Sequence, residues 1–232
     1  IDVAMDNYKK VIKQNQSHWQ SRFNLYIILI NKEKYEDALK LINMVLVIKK
    51  NYQPALRDKA LVMYRLGKPD EGFPLINQSI KLNPKDYIAL NILGLIYEAL
   101  KLHEKAKNVF EISIKINPKY YPSYNNLGSC YQNMKKPDLA LENFKKSYEL
   151  NKNFQEAINN MANVYLLKGK YFEAIDYYKM ALTKGGKIAQ IYYNIGAAYM
   201  YLQDYKKAEK YYTDSFKINP NDQTLIKNLS TM

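Results

Sequence analysis

Asparagines recur at one fixed spacing along this chain, and their side chains could do hydrogen-bonding chemistry. Asn126, Asn160, Asn194 and Asn228 lie 34 residues apart, and Asn24 falls on the same series. A primary amide offers one acceptor oxygen and two N–H donors, so it can pair with both the C=O and the N–H of a peptide group. Asparagine is also a poor helix former. Its regular placement therefore predicts a row of amides that binds an extended polypeptide backbone.

Residues that could support catalysis are few. The chain has two histidines, His18 and His103, and one cysteine, Cys130. Neither histidine has a carboxylate or cysteine at helical spacing that would suggest metal or nucleophile chemistry. Cys130 is expected to be a small buried residue, and no glycine motif for binding phosphate is present. We therefore predict a non-catalytic segment, with no cofactor and no metal site.

The composition favours a basic protein that does not span a membrane. The formal net charge is +13, and arginine occurs only at 22, 57 and 65, so lysine supplies nearly all of the positive charge. Because the lysines are spread along the chain, a solvated basic surface is favoured over a nucleic-acid-binding face, which stays open as an alternative. No apolar run is long enough for a membrane helix. The lone cysteine fits a reducing compartment, so an intracellular, cytoplasmic location is expected, with cilium or nucleus as alternatives.

A 34-residue period organises the rest of the sequence. When Tyr87 is numbered position 1 of a unit, position 8 is small in five of the six full units and position 24 is mostly aromatic. Position 8 reads Ala60, Gly94, Gly128, Ala162 and Gly196, and position 24 includes Phe110, Phe144, Tyr178 and Tyr212. Position 20 is Ala or Gly throughout, and position 27 is Ser or Ala in the five full units from residue 53 onward. Such small residues let two helices approach closely, while the aromatic residues fill the space between them.

Each unit is predicted to contain two helices. Apolar residues at positions 4, 7, 8 and 11 form the stripe of a first helix, and positions 20, 24 and 27 form that of a second. Gly67 and Gly169 are placed to end the first helix of their units. Because Pro74 lies inside the predicted second helix of its unit, we expect that helix to start late or to kink there. One helix pair cannot cover its own apolar face, so units must stack.

The 34-residue spacing with these columns resembles the tetratricopeptide repeat. The resemblance implies an all-α fold, an alpha-alpha superhelix in which antiparallel helix pairs form a right-handed solenoid. It covers essentially the whole chain, which suggests a piece of a longer array. The predicted units are 1–18 (second helix of a truncated repeat), 19–52, 53–86 (atypical because of Pro74), 87–120, 121–154, 155–188, 189–222 and 223–232 (start of a further repeat or capping helix).

The resemblance also implies a concave groove lined by the first helices, at positions 2, 5, 6, 9, 12 and 13. These positions hold the candidate peptide-binding asparagines Asn24, Asn91, Asn125, Asn126, Asn159, Asn160, Asn163, Asn194 and Asn228. The early units place apolar residues there, namely Phe23, Ile27, Leu61, Tyr64, Ile92 and Leu95. Such a surface could accept an amphipathic helix. The asparagine pattern itself resembles the repeat arm of O-linked N-acetylglucosamine transferases.

The recurrence of asparagine could also arise without any ligand. The amides could hydrogen-bond across adjacent units, or they could reflect codon bias in an AT-rich genome. On the peptide-binding interpretation, alanine at Asn126, Asn160 and Asn194 together is expected to abolish binding without lowering the melting temperature.

The predicted function is a protein–protein interaction scaffold that binds a peptide or partner segment in the groove, within a larger assembly. A substrate-recognition arm of a larger enzyme is the alternative. In chaperone adaptors of this family, a clamp of lysine, asparagine and arginine holds the carboxylate of a heat-shock chaperone tail. The best trial here, which starts at Arg57, meets Leu61, Ile92 and Pro122 where the clamp needs polar residues. We therefore expect no carboxylate clamp.

Overall fold

The structure is a computed structural model that describes residues 2–185 and 188–230, with side chains as far as Leu229. Fourteen α-helices and no strand occur in these ranges, which confirms the all-helical fold predicted from the sequence. No helix among the described residues is both long and apolar enough to cross a membrane. The chain divides into two compact units, one ending at Pro118 and the other beginning at Lys119.

The first unit contains seven helices. They are α1 (Asp2–Gln14), α2 (Trp19–Asn31), α3 (Tyr35–Ile48), α4 (Gln53–Arg65), α5 (Pro69–Leu82), α6 (Tyr87–Ala99) and α7 (His103–Ile116). The pairs α2/α3, α4/α5 and α6/α7 have the most extensive contacts within this unit, and α3 also packs on α4 and α5 on α6. Two buried clusters form the core, one around Ile42 and Val45 and one around Ile76 and Ile96.

The second unit repeats this arrangement. Its helices are α8 (Tyr121–Asn133), α9 (Pro137–Leu150), α10 (Gln155–Leu167), α11 (Tyr171–Gly185), α12 (Ala189–Tyr201), α13 (Tyr205–Ile218) and α14 (Gln223–Ser230). The pairs α8/α9, α10/α11 and α12/α13 pack most extensively. Phe144, Tyr178 and Ile195 are completely buried between them. Helices α8, α10, α12 and α14 therefore correspond to the first helices of successive sequence repeats, and they carry seven of the nine candidate asparagines.

Six three-residue turns join the paired helices, and the middle residue of each turn has a positive φ. These residues are Glu33, Gly67, Lys101, Lys135, Gly169 and Gln203, with φ between 56° and 74°. The predicted helix ends at Gly67 and Gly169 are thereby confirmed. After α8, the N–H of Lys136 donates to the carbonyl of Tyr131 at 2.9 Å, a bond typical of a helix that ends in the left-handed conformation. Four of the six turns place a non-glycine residue in this strained region.

Replacing one of the strained residues by glycine should stabilise the protein. For Lys135→Gly we expect a gain of about 0.5–1 kcal/mol in the free energy of unfolding, because glycine adopts φ 58° without a Cβ clash. Urea unfolding followed by circular dichroism measures the change. Lys135→Ala is the matched control, since it removes the same side chain but keeps the Cβ atom and should therefore show no such gain. An equal change in stability for the two variants would contradict the assignment of strain to residue 135.

The small residues of position 8 face the aromatic residues of position 24, as the sequence predicted. A Cβ atom added to Gly94 would lie 2.3 Å from the ring of Phe110, and one added to Gly128 would lie 2.7 Å from the ring of Phe144. These rings are completely buried, so they have little room to move away. Glycine is therefore required at these positions because the two helices touch there.

The serines of position 27 do more than provide a small volume. The hydroxyls of Ser113, Ser147 and Ser215 each donate to the backbone carbonyl of the first residue of their own repeat, at 2.8–2.9 Å. These carbonyls belong to the first turns of α6, α8 and α12. The hydroxyls therefore tie the second helix of each pair to the start of the first, a role that the sequence columns did not indicate.

The helix that contains Pro74 differs from its prediction. α5 begins at Pro69 and continues without interruption to Leu82, so the predicted late start is wrong, while the predicted kink at Pro74 stays a prediction. Proline is favoured in the first turn of a helix, which explains the start at Pro69. Pro74 itself is exposed, and Asp70, whose carbonyl loses its helical donor at residue 74, is exposed too. Water can therefore donate to that carbonyl, which lowers the cost of an internal proline.

Candidate functional site

Hydrogen bonds between amides connect the first helices of the second unit. The side-chain N–H group of Asn160 on α10 donates to Oδ1 of Asn125 on α8 at 3.0 Å. That of Asn194 on α12 donates to Oδ1 of Asn163 on α10 at 3.3 Å. We call the set Asn125, Asn160, Asn163, Asn194 and Asn228 the amide row.

The last member of the amide row bonds to a phenol. Asn228 on α14 donates to the hydroxyl of Tyr193 on α12 at 3.2 Å. The amide row therefore crosses from α8 to α14, with one hydrogen bond for each pair of neighbouring first helices. This cross-repeat bonding is one of the alternatives that the sequence left open.

Buried tyrosines on the second helices form hydrogen bonds with members of the amide row. The hydroxyl of Tyr178 donates to Oδ1 of Asn163 at 2.6 Å. Burial raises the pKa of Tyr178, and a hydrogen bond with Asn194 opposes that rise only in part. Burial likewise raises the pKa of Tyr212 to about 12, although Asn228 lies within hydrogen-bonding reach. Both phenols are therefore neutral at physiological pH, and the hydroxyl of Tyr178 fixes the oxygen of Asn163 as an acceptor.

The cross-helix bonds leave part of the amide row uncommitted. Asn160 uses its NH₂ group, and no hydrogen bond to its oxygen is made by the described residues. Asn163 uses its oxygen twice, for Tyr178 and Asn194, while its NH₂ group makes no hydrogen bond within that part of the chain. Because both side chains are only partly buried, these atoms are open to solvent and could pair with a ligand that supplies one donor and one acceptor.

Asn159 has the least satisfied amide among the candidates. Its Oδ1 atom is buried and has no hydrogen-bond partner in the described part of the chain, and the same is true of Nε2 of Gln155, one helical turn earlier on α10. Both residues line a cavity of about 140 Å³ together with Glu156, Ile188, Gln190 and Ile191. A second cavity of about 240 Å³ lies further along, lined by Tyr193, Ala197, Met200, Tyr201, Tyr212 and Asn228. Both cavities adjoin the amide row.

The remaining asparagine predictions have mixed outcomes. Asn24 on α2 is exposed, and Asn126 on α8 is half-buried. Asn91 and Asn125, however, are only 5% and 8% exposed. These two are therefore interior residues rather than groove residues. At Asn125 the reason is the bond from Asn160, which draws position 5 into the contact between successive first helices.

The apolar groove predicted for the first unit needs a correction. Ile92 is 2% exposed and belongs to a core cluster with Ala60 and Ile76, so it is not available to a ligand. Position 6 faces the neighbouring first helix, and an isoleucine there packs against it. Phe23, Leu61, Tyr64 and Leu95 are half-buried, and among the six candidates only Ile27 is largely exposed. The six residues therefore do not form the open apolar surface that was expected.

The cross-helix bonds also change what alanine substitutions should do. Removing the donor of Asn160 would leave Oδ1 of Asn125 buried without a partner, at a cost of about 1–3 kcal/mol. The expectation that alanine at Asn126, Asn160 and Asn194 leaves the melting temperature unchanged is therefore no longer tenable. A functional test needs substitutions that keep these bonds.

A charged cluster in the first unit was missed by sequence reasoning. The guanidinium of Arg57 on α4 contacts the carboxylates of Asp58 at 2.8 Å and of Asp86 at 3.1 Å. Gln53 donates to Asp86 at 2.7 Å, and Asp86 also accepts the backbone N–H groups of Ile88 and Ala89. Asp86 is therefore both the N-cap of α6 and the ionic partner of α4. Its only sequence signal was an aspartate just before a predicted helix.

The contacts of the two histidines and the cysteine are those of structural residues. His18 accepts the backbone N–H of Ser21 at the start of α2, and His103 lies 2.9 Å from Glu98 across the α6–α7 turn. A carboxylate partner for His103 was not expected, because five residues separate the two. Cys130 is fully buried, as predicted. Among the described residues, no group of three or more His, Cys, Asp or Glu side chains is placed to hold a metal ion.

Comparison with known proteins identifies the family. A profile described as "Psidin, N-terminal TPR repeats region" matches residues 29–136. Two profiles described as "Tetratricopeptide repeat" match residues 121–154 and 189–222, and residues 157–187. The chain belongs to the tetratricopeptide repeat family. A search of curated proteins gives no match.

Solved structures show the same fold at low identity. The protein of "Functional Characterization of Pseudomonas Aeruginosa pilF" is 21% identical with a TM-score of 0.73, and the match covers 100% of this chain and 99% of that one. "Crystal structure of APC/C hetero-tetramer Cut9-Hcn1" gives 16% identity and a TM-score of 0.88, over 96% of this chain and 44% of that one. YrrB, described as "a TPR protein with an unusual peptide-binding site", is 19% identical with a TM-score of 0.57. The match covers 97% of this chain and 98% of that one.

Proposed function

We propose that this chain is a protein–protein interaction module whose second unit binds an extended peptide segment along α8, α10, α12 and α14. The observation that carries the proposal is the uncommitted half of the amide row. Asn160 keeps an acceptor and Asn163 keeps a donor, on the helix between two partners to which they are already tied. Amides held in place by such bonds are pre-organised, so less conformational entropy is lost when a ligand binds.

The geometry of the helix array suggests the length of the ligand. Packed helices lie about 8–10 Å apart, and an extended chain advances about 3.2–3.4 Å per residue. Each first helix would then meet about three ligand residues, and the three steps from α8 to α14 would span about nine. YrrB, whose title describes an unusual peptide-binding site, shows that a protein of this fold can bind a peptide.

The expected affinity is modest. Each hydrogen bond to a peptide group contributes about 0.5–1.5 kcal/mol net, and association itself costs several kcal/mol. A micromolar dissociation constant corresponds to about 8 kcal/mol, so the cavities beside the amide row must contribute through side chains of the ligand. Backbone contacts would then set the direction of the peptide, and the cavities would set its sequence preference.

Substitution of Asn163 by aspartate tests the proposal. The carboxylate retains an acceptor for Tyr178 and Asn194 but replaces the free NH₂ group, so the fold should persist while a ligand carbonyl is repelled. Ten-residue peptides selected from a display library on the unmodified protein serve as probes, with binding measured by fluorescence anisotropy. We expect Asn163→Asp to weaken binding at least tenfold, a change of about 1.4 kcal/mol.

Two controls make this result specific. Asn153→Asp introduces the same charge at an exposed loop residue and should leave the affinity unchanged. Methylation of successive backbone nitrogens of the selected peptide should abolish binding if the backbone is recognised. The proposal is wrong if no peptide is enriched, or if the Asn163→Asp variant binds as tightly as the Asn153→Asp variant.

A further inference from the structure

The cavity between the starts of α10 and α12 contains two buried polar atoms of opposite character. Nε2 of Gln155 is a donor and Oδ1 of Asn159 is an acceptor, and neither has a hydrogen-bond partner among the residues that the structure describes. Buried polar atoms without partners are rare in folded proteins, and each one calls for an explanation. Since both residues line the same cavity, a single group that enters it could satisfy both atoms.

We propose that this cavity is a binding site for a primary carboxamide, such as the side chain of a glutamine or asparagine in the bound segment. A primary amide presents an N–H donor and a carbonyl acceptor along one edge. The N–H would donate to Asn159, and the carbonyl would accept from Gln155. The cavity of about 140 Å³ is large enough for one short side chain, and Ile188 and Ile191 supply apolar walls for its methylene groups.

Other ligand groups fit this site less well. A carboxylate would accept from Gln155, but it would face the oxygen of Asn159 and the negative charge of Glu156, which also lines the cavity. An ammonium group would donate to Asn159 and leave the donor of Gln155 unpaired. A site with fixed hydrogen-bonding groups rejects ligands that lack the complementary group. Of these three groups, the amide is the one that satisfies both atoms.

The cavity is connected to the amide row. Gln190, which lines the cavity, donates to Oδ1 of Asn194 at 3.0 Å. A peptide that follows the amide row would therefore pass the mouth of the cavity and could insert one side chain. The inference rests on the proposed function for the identity of its ligand, while the cavity itself can be tested with small molecules.

Propionamide is the probe for this site, with propionate and propylammonium as matched compounds of similar size. We expect propionamide to shift the side-chain NH₂ resonances of Gln155 and Asn159 in two-dimensional NMR spectra of the whole chain. Propionate and propylammonium should bind at least tenfold more weakly. The site is not a carboxamide site if propionamide causes no shift, or if the three compounds bind equally.

Two variants test the assigned roles. Asn159→Leu removes no hydrogen bond to a described residue, so it should keep or raise the melting temperature while abolishing the propionamide response. Gln155→Glu converts the donor into an acceptor, so preference should pass to propylammonium, whereas Gln203→Glu at an exposed turn should change nothing. An unchanged preference in the Gln155→Glu variant would overturn the inference.

Failure of this inference is distinguishable from failure of the proposed function. If selected peptides bind but propionamide does not, the carboxamide site is wrong and the peptide-binding face stands. If propionamide binds and no peptide is enriched, the reverse holds. If both are correct, peptides selected on the unmodified protein should share a glutamine or asparagine at one fixed position, and those selected on the Asn159→Leu variant should not.

Discussion

Replacement of Asp86 by alanine should lower the free energy of unfolding by about 2–4 kcal/mol. The substitution removes the N-cap of α6, which accounts for about 1 kcal/mol. It also leaves the guanidinium of Arg57, only 19% exposed, with one carboxylate instead of two. Gln53 loses an acceptor as well. Because α4, α5 and α6 meet at this cluster, urea unfolding monitored by circular dichroism should show an earlier transition.

Two further variants separate the cap from the ion pair. Asp86→Asn keeps a side-chain oxygen that can accept the N–H groups of Ile88 and Ala89, so it should lose only the ionic part. Arg57→Met removes the guanidinium that loses one of its two carboxylate partners in the Asp86→Ala variant. The Asp86→Ala substitution should therefore cost less in the Arg57→Met background. Strictly additive effects of the two substitutions would show that Arg57 and Asp86 are not coupled.

The same cluster should make stability depend on pH. Burial alone would raise the pKa of Asp86, but hydrogen bonds from Gln53 and from the N–H of Ala89, with the charge of Arg57, lower it below its usual value. Its contribution is therefore complete above the pKa of the unfolded chain, near 3.9, and is lost as the pH falls through the lower pKa of the folded state. The stability difference between the unmodified protein and the Asp86→Asn variant should shrink below about pH 4.

The ionisation of Asp58 has the opposite effect on the stability of the fold. Burial raises its pKa, and the charge and hydrogen bond of Arg57 offset this only in part. The folded state therefore prefers the neutral acid, and ionised Asp58 lowers stability at neutral pH. That penalty disappears as the pH falls through the raised pKa. The acid-side profile of the protein should thus contain two opposing contributions, which the single variants Asp86→Asn and Asp58→Asn can resolve.

The helices and their packing columns could be predicted from the sequence because packing repeats with the chain. A small residue at position 8 and an aromatic residue at position 24 recur every 34 residues, and the structure places Gly94 on Phe110 and Gly196 on Tyr212. Contacts within one repeat leave a periodic trace in residue volume. Hydrogen bonds are harder to recognise in the sequence. The serine at position 27 was identified only as a small residue, and its hydrogen bond to the start of the repeat was not predicted.

The candidate site could be predicted only in part, because an amide has no preferred partner. The spacing of Asn160 and Asn194 showed that they share a face, but not that each donates to the preceding first helix. Which atoms are left over depends on distances of a few tenths of an ångström. Asp58 replaces asparagine at the same position in the first unit and pairs with Arg57 instead. The sequence therefore indicates where a row of polar residues lies but does not determine their hydrogen-bond partners.

The contact of Gly94 with Phe110 leads to the second large effect. In an ordinary helix, Gly→Ala gains up to about 1 kcal/mol from helix propensity. At Gly94 the new Cβ would lie 2.3 Å from a ring that is completely buried, and overpacking of this kind costs about 1–3 kcal/mol or more. We therefore expect Gly94→Ala to lower the melting temperature by several degrees, measured by differential scanning calorimetry.

Another repeat of the first unit suggests a second substitution that should restore the stability lost in Gly94→Ala. Ala60 and Ile76 occupy the same two repeat positions as Gly94 and Phe110, and they belong to one buried cluster. The Gly94→Ala/Phe110→Ile double variant recreates that pair, so it should be more stable than Gly94→Ala alone. Phe110→Ile by itself should be destabilising, because it leaves space beside Gly94. If the double variant is less stable than both single variants, the loss in Gly94→Ala does not come from the ring, and the close approach of α6 and α7 is not what selects glycine.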